Sequence, residues 1–223
     1  REISSSSKTI KMKVSKTNIF KQYDLLKKVS QSIESDCKII LDANEMYDLP
    51  KAIRACKTFE EFNIKYIEQP IDKMMFEDLS ELRFHTKIPI ALDESIDSLE
   101  AAEQAIELQS ADIFIIKPMR IGSYQIIKKI ISLANKNNIQ CVFTHSFEGS
   151  IGALHTIHWI ASFGIKEPCG IQTDYISNDE FNDLEDVVEF KSVPCKLSLK
   201  TIYRDVIFDQ SNSNEPEKER NIK

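Results

Sequence analysis

Six charged residues carry the chemistry that this sequence offers. Asp42 closes the run KIILD, Glu68 closes KYIE, Asp93 closes PIALD, Lys117 follows IFII, and Lys11 and Lys13 lie within TIKMKV. Carboxylates brought together without compensation repel one another and hold on to protons. A hard divalent cation removes that repulsion. An all-oxygen donor set without His or Cys favours Mg2+, which keeps some waters and accepts substrate oxygens in its remaining positions. Lysines on either side of such a cluster suit a carboxylate substrate: the cation acidifies the α-proton, and an amine kept neutral by a neighbouring ammonium and the cation takes it. Singly, each acid reads as an exposed strand end or a helix cap. Lys117 alone reads as an amine whose stem covers apolar neighbours. The succession of three acids between lysines is what points to a site.

Such a site needs a scaffold that ends successive strands at one place. TIKMKV alternates, with Ile10, Met12 and Val14 on one face and Lys11 and Lys13 on the other. The apolar run Ile113–Ile116 reads as a strand buried on both faces. Helical spacing fills the intervals: Ile19 to Ile33, a helix with Pro50 in its first turn, Met75 to Phe84, Leu99 to Leu108, a helix opened by Gly122 and Ser123, and Gly149 to Phe163. Strand ends at Lys13, Asp42, Glu68, Asp93, Lys117 and Ser146 lie 24 to 29 residues apart. Strand and helix alternating at this pace predict a (β/α) barrel, in which parallel strands bring all their C-terminal ends to one rim. An open doubly wound sheet competes, but the glycine-rich loop after its first strand is missing. The expected domain is residues 1–210, with 211–223 a disordered tail.

Composition narrows the partners. The chain has 223 residues, 42% of them hydrophobic, enough for a sizeable core. A net charge of −6 without a basic stripe argues against nucleic acid, and no apolar run reaches the length of a membrane span. The five cysteines form no CxxC pair, which suits free thiols in a reducing compartment better than disulfides or structural zinc. His155 and His158 read as structural, His145 as a strand-end residue within reach of a substrate, Met74-Met75-Phe76 as core, and Arg120 as a partner for a substrate carboxylate or a solvated loop charge.

The ordered motifs Lys11-Met12-Lys13, Asp42-Ala43-Asn44, Glu68-Gln69-Pro70, Asp93-Glu94-Ser95, Lys117-Pro118 with Gly122-Ser123, and Ser146-Phe147-Glu148-Gly149-Ser150-Ile151-Gly152 resemble the enolase superfamily, muconate-lactonizing subgroup. The resemblance spans about Ile10 to Tyr175 and is greatest to the o-succinylbenzoate synthases. It implies a TIM-like barrel, with Asp42, Glu68 and Asp93 as Mg2+ ligands and Lys13 as general acid/base. Lys117 would be a cation on the opposite face of the substrate, with Lys11 tuning Lys13. Asn44, Glu94, Ser146 and Gly170 would be supporting or substrate-contacting positions. The implied reaction is dehydration of 2-succinyl-6-hydroxy-2,4-cyclohexadiene-1-carboxylate to o-succinylbenzoate through an enediolate, in menaquinone or phylloquinone synthesis. That places the protein in the cytoplasm, or in the plastid stroma of a photosynthetic eukaryote. The partner is a small-molecule carboxylate, and a homo-oligomer is compatible with the sequence. The family's capping domain and first barrel strand are expected to lie outside this chain.

Five other readings are in view. Dipeptide epimerases and N-acylamino acid racemases share the scaffold and both lysines, and muconate cycloisomerase is a third relative on the same scaffold. Epimerases typically carry Asp-x-Asp near the eighth strand, where this chain reads Gly170-Ile171-Gln172-Thr173-Asp174, with one acid. An inactive metal-binding barrel is a fourth reading. A receiver-type signalling module also uses strand-end acids and Lys-Pro, but Lys11 and Lys13 contradict it.

Overall fold

The computed structural model describes residues 9–14, 18–146, 148–171, 187–190 and 195–198. They fall in two units, one within residues 1–176 and one within 177–223. In the second, Val187–Phe190 pairs antiparallel with Cys195–Ser198. Most of the remainder of that stretch, including the tail expected at 211–223, lies outside the described residues, as does much of the C-terminal part of the domain expected over 1–210.

The first unit is a six-stranded, all-parallel sheet in the order β1-β2-β3-β4-β5-β6. Its strands are β1 Thr9–Lys13, β2 Lys38–Asp42, β3 Ile64–Glu68, β4 Ile90–Leu92, β5 Ile113–Ile116 and β6 Gln140–Phe143. Each is followed by helix: α1 Ile19–Ser32, α2 Leu49–Phe59, α3 Phe76–His85, α4 Leu99–Glu107, then α5 Pro118–Ile121 with α6 Tyr124–Lys136, and α7 Ser150–Ser162. The six expected units are all present, and the sheet curls into a half-barrel with the TIM-like strand order. A parallel bridge from Thr144 to Gly170 continues the sheet by one position beyond β6. No helix among the described residues is long and apolar enough to cross a membrane.

Local sequence explains the boundaries. Asn18, Asp48, Ser98 and Ser123 cap α1, α2, α4 and α6 by accepting backbone N–H groups of the first turn. Pro50 occupies the first turn of α2, where no N–H is needed. The one-turn helix α5 was not predicted; Pro118 starts it and Gly122, at φ 73°, ends it.

Period-two alternation divides the apolar residues into two layers. Ile39, Leu41, Ile67, Ile90, Leu92, Phe114, Ile116, Cys141 and Phe143 face the helices and form the main core. Ile40, Tyr66, Ala91, Ile113, Ile115 and Val142 form a smaller cluster on the opposite face of the sheet. Of the expected core run Met74-Met75-Phe76, only Phe76 is buried; Met74 and Met75, in the turn before α3, are 69% and 45% exposed.

Phe114, wholly buried at the centre of the helix-facing layer, makes a clean test of that core. Phe114→Ala is expected to lower stability by about 3–5 kcal/mol, read as a shift of the urea midpoint with little change in slope.

Candidate active site

The alternation that sends Ile39 and Leu41 to the helices sends Asp42 to the other face of β2, and the same parity applies along each strand. Lys13 pairs in register with Asp42, and Asp42 with Glu68, so these side chains stand abreast at the C-terminal edge. Asp93 and Lys117 lie one residue past β4 and β5. The three carboxylates are buried: Asp42 is 3% exposed, and Glu68 and Asp93 are 1%.

Two clusters of contacts hold them. In the first, the Lys11 ammonium donates to both Glu68 oxygens at 2.8 Å and lies 3.1 Å from Asp42 Oδ2. Lys13 Nζ lies 3.0 Å from the same Asp42 oxygen and donates to Asn44 Oδ1, and Asn44 Nδ2 donates to Glu94 Oε1 at 3.0 Å. In the second, Lys117 donates to Asp93 Oδ2, and Arg120 donates to the Asp93 backbone carbonyl at 3.0 Å and approaches Oδ1 at 3.3 Å. Arg120 is thus no solvated loop charge; it clamps Asp93.

Burial pushes the Glu68 carboxyl up to about 7; Lys11 opposes the shift, and the Asp42 and Asp93 carboxylates add to it. Burial also works against the Lys11 ammonium, but Glu68 and Asp42 together outweigh it and raise its pKa, so Lys11 is held as a cation. Asp42 Oδ1 and Glu94 Oε2 are buried with no hydrogen-bond partner among the described residues. An all-oxygen, buried cluster with an acceptor unused and one acid pushed toward protonation fits a hard divalent cation in donor type and charge. As arranged, no three acidic, His or Cys side chains among the described residues stand close enough together to ligate one ion, and lysines lie on the three carboxylates.

The supporting positions separate. Asn44 and Glu94 join the first cluster through Lys13. Gly170 lines a cavity of about 430 Å³ with Lys11, Ile40, Tyr66, Glu68 and Thr144, and a Cβ there would stand 3.2 Å from Thr144 Cγ2, which favours glycine. Ser146 is exposed, and its N–H donates to Glu148 rather than to the acids. The His145 N–H donates to the Gly170 carbonyl at 3.3 Å, and His155 stacks edge-on against Trp159 at 4.5 Å. Asp174 lies outside the described residues. Sequence reasoning missed Gln69, a wholly buried amide between Glu68 and Pro70 whose oxygen accepts the Asp93 N–H at 2.9 Å. An amide directly after a strand and before a proline was the available signal.

Residues 3–192 match the model of the enolase C-terminal domain-like family. The chain belongs to that family. This enolase-type chain is 28% identical over 174 residues to the L-Ala-D/L-Glu epimerase of Bacillus subtilis, covering 74% of itself and 48% of that protein. It is 38% identical over 102 residues to the o-succinylbenzoate synthase of the same organism, covering 46% of itself and 27% of that protein. The dipeptide epimerase of Enterococcus faecalis V583 superposes with a TM-score of 0.70 at 24% identity, over 74% of this chain and 48% of that one, a likeness of fold. The enolase-type chain spans about half or less of the length of these relatives. Relatives named for racemisation and cycloisomerisation match at comparable identity, so membership of the superfamily is established while the reaction is not fixed by kinship.

The Glu68 shift has a pH consequence. A carboxyl whose folded-state pKa lies above its ordinary 4.5 favours folding while protonated, a contribution present at low pH and lost as pH rises through about 7. In protein freed of divalent cations, the melting temperature of Glu68→Gln minus that of the parent should therefore rise between pH 4.5 and 7. A flat difference across that range would contradict it.

Proposed function

We propose that the whole protein abstracts the α-proton of a carboxylate substrate at this rim, with Lys13 as general acid/base and Lys117 as the opposing cation. Asp42, Glu68 and Asp93 would hold Mg2+, and the reaction is dehydration of 2-succinyl-6-hydroxy-2,4-cyclohexadiene-1-carboxylate to o-succinylbenzoate. The observation that carries this reading is the pair of separate lysine contacts on one buried acid cluster, Lys13 on Asp42 and Lys117 on Asp93. Mg2+, when bound, would neutralise the substrate carboxylate and so acidify its α-proton.

The chain's own residues divide the remaining work. Lys13 is 71% exposed at its side chain and open to a substrate, while Asn44, itself held by Glu94, steadies its amine. Lys11, fixed as a cation by Glu68 and Asp42, supplies charge and not a base. The α C–H bond breaks, with its proton passing to Lys13 Nζ. The C–O bond on the neighbouring ring carbon then breaks, and Lys13 returns the proton to the departing oxygen as water while the ring gains its double bond. Lys117, 17% exposed, favours negative charge on the substrate carboxylate as it develops.

A second reading is 1,1-proton transfer, in which Lys117 returns the proton to the face opposite Lys13. It is favoured by the match to the B. subtilis epimerase over 74% of this chain. The whole protein with Mg2+ should consume the cyclohexadiene carboxylate, measured by the absorbance of the aromatic product; consumption of dipeptides instead would favour the second reading. Lys13→Ala and Lys117→Ala should each lower turnover by about 10²- to 10⁴-fold. Near-normal turnover in either variant would refute the two-lysine reading, and metal binding without turnover of any of these substrates would favour an inactive barrel.

A further inference from the structure

Gln69 is tied into the framework of the acid cluster through both its side chain and its backbone. Its side-chain oxygen accepts the N–H groups of Asp93 at 2.9 Å and Ser95 at 3.1 Å. Its side-chain nitrogen donates to the Ile71 carbonyl at 3.0 Å and to Ser95 Oγ at 2.9 Å, so all four hydrogen-bonding positions of the amide are used. Its backbone N–H donates to Ala91 O at 2.8 Å, and its backbone carbonyl accepts the Glu45 N–H at 2.8 Å. The residue is wholly buried and adopts φ 38°, a left-handed conformation that costs a non-glycine residue about 1–2 kcal/mol and persists only where surroundings enforce it.

The placement matters because β4 is three residues long and ends at Leu92. The sheet ladder holds Ala91 against Glu68 and Leu92 against Phe114, but it does not extend to Asp93. Gln69 supplies the missing rung: the residue directly after Glu68 takes the backbone N–H of Asp93 itself. We propose that Gln69 is a positioning residue, setting the separation of the Glu68 and Asp93 carboxylates and thereby the affinity of the acid cluster for a divalent cation. This rests on the reading of that cluster as a cation site given above. A glutamine that only satisfied buried backbone groups would affect stability alone; one that spaces the acids also affects cation binding.

The test is calorimetric titration of the full chain with Mn2+ alone, a hard cation of the same donor preference, paired with thermal melts. Gln69→Met keeps length and removes every amide hydrogen bond; its Mn2+ affinity should fall by about tenfold or more, as is usual for groups that orient metal ligands. Ser95→Ala removes a partner of the amide nitrogen but leaves the amide oxygen on Asp93. It should melt earlier, yet bind Mn2+ within about threefold of the parent. If Gln69→Met does not fold, Gln69→Asn, one methylene too short to reach Asp93 directly, carries the same expectation. Parental affinity in the folded Gln69 variant, or equal losses in the Gln69 and Ser95 variants, would overturn the inference while leaving the cation site intact. A parent that binds no Mn2+ would overturn the cation reading, and the inference with it.

Discussion

Removing three carboxylates from water at the ends of neighbouring strands is the constraint around which the rim is built. Asp42, Glu68 and Asp93 are each at most 3% exposed, and burying unpaired charge is expensive. The chain answers with four cations drawn from two places: Lys11 and Lys13 from β1, Lys117 and Arg120 from the end of β5 and the one-turn helix after it. Compensation is incomplete at the middle acid. Glu68 is ion-paired with Lys11, but its burial, with the carboxylates on either side adding to the effect, drives it toward protonation. A buried acid pushed toward protonation beside an unpaired Asp42 Oδ1 suits a cation that would take the place of lysine ammoniums on the cluster.

Most of this was legible in the sequence, for a definite reason. In parallel strands of four or five residues, side-chain parity is fixed by counting, so the apolar pattern IIL in β2 decides on which face Asp42 stands. The same counting carries to Glu68 after Tyr66-Ile67 and to Lys117 after IFII. Helix positions followed from apolar spacing and from caps such as Asp48 before Leu49-Pro50 and Ser98 before Leu99.

What the sequence did not disclose depends on side chains reaching between elements far apart in the chain. Arg120 meets the carbonyl of Asp93 across 27 positions, and Gln69 meets the Asp93 N–H across 24. Neither has a period to mark it, and Gln69 has only its place between a strand end and Pro70. The left-handed backbone at Asn44, Glu45 and Gln69 was equally hidden, since nothing but tertiary contact, such as Glu45 accepting the Lys73 N–H at 2.7 Å, holds these residues there. Exposure of Met74 and Met75 escaped notice because apolar type alone does not tell which side of a turn is covered.

The strict order of the sheet bears on how such a chain assembles. Every strand pairs with the one next in sequence, from β1 through to β6, so each ladder closes a loop of similar, modest length and no pairing among them waits for distant ends to meet. The entropic cost of loop closure is thus divided into nearly equal steps. A sheet of this kind can grow strand by strand from any starting pair, and β1 to β5 each end in charged side chains at the rim, β1 contributing two.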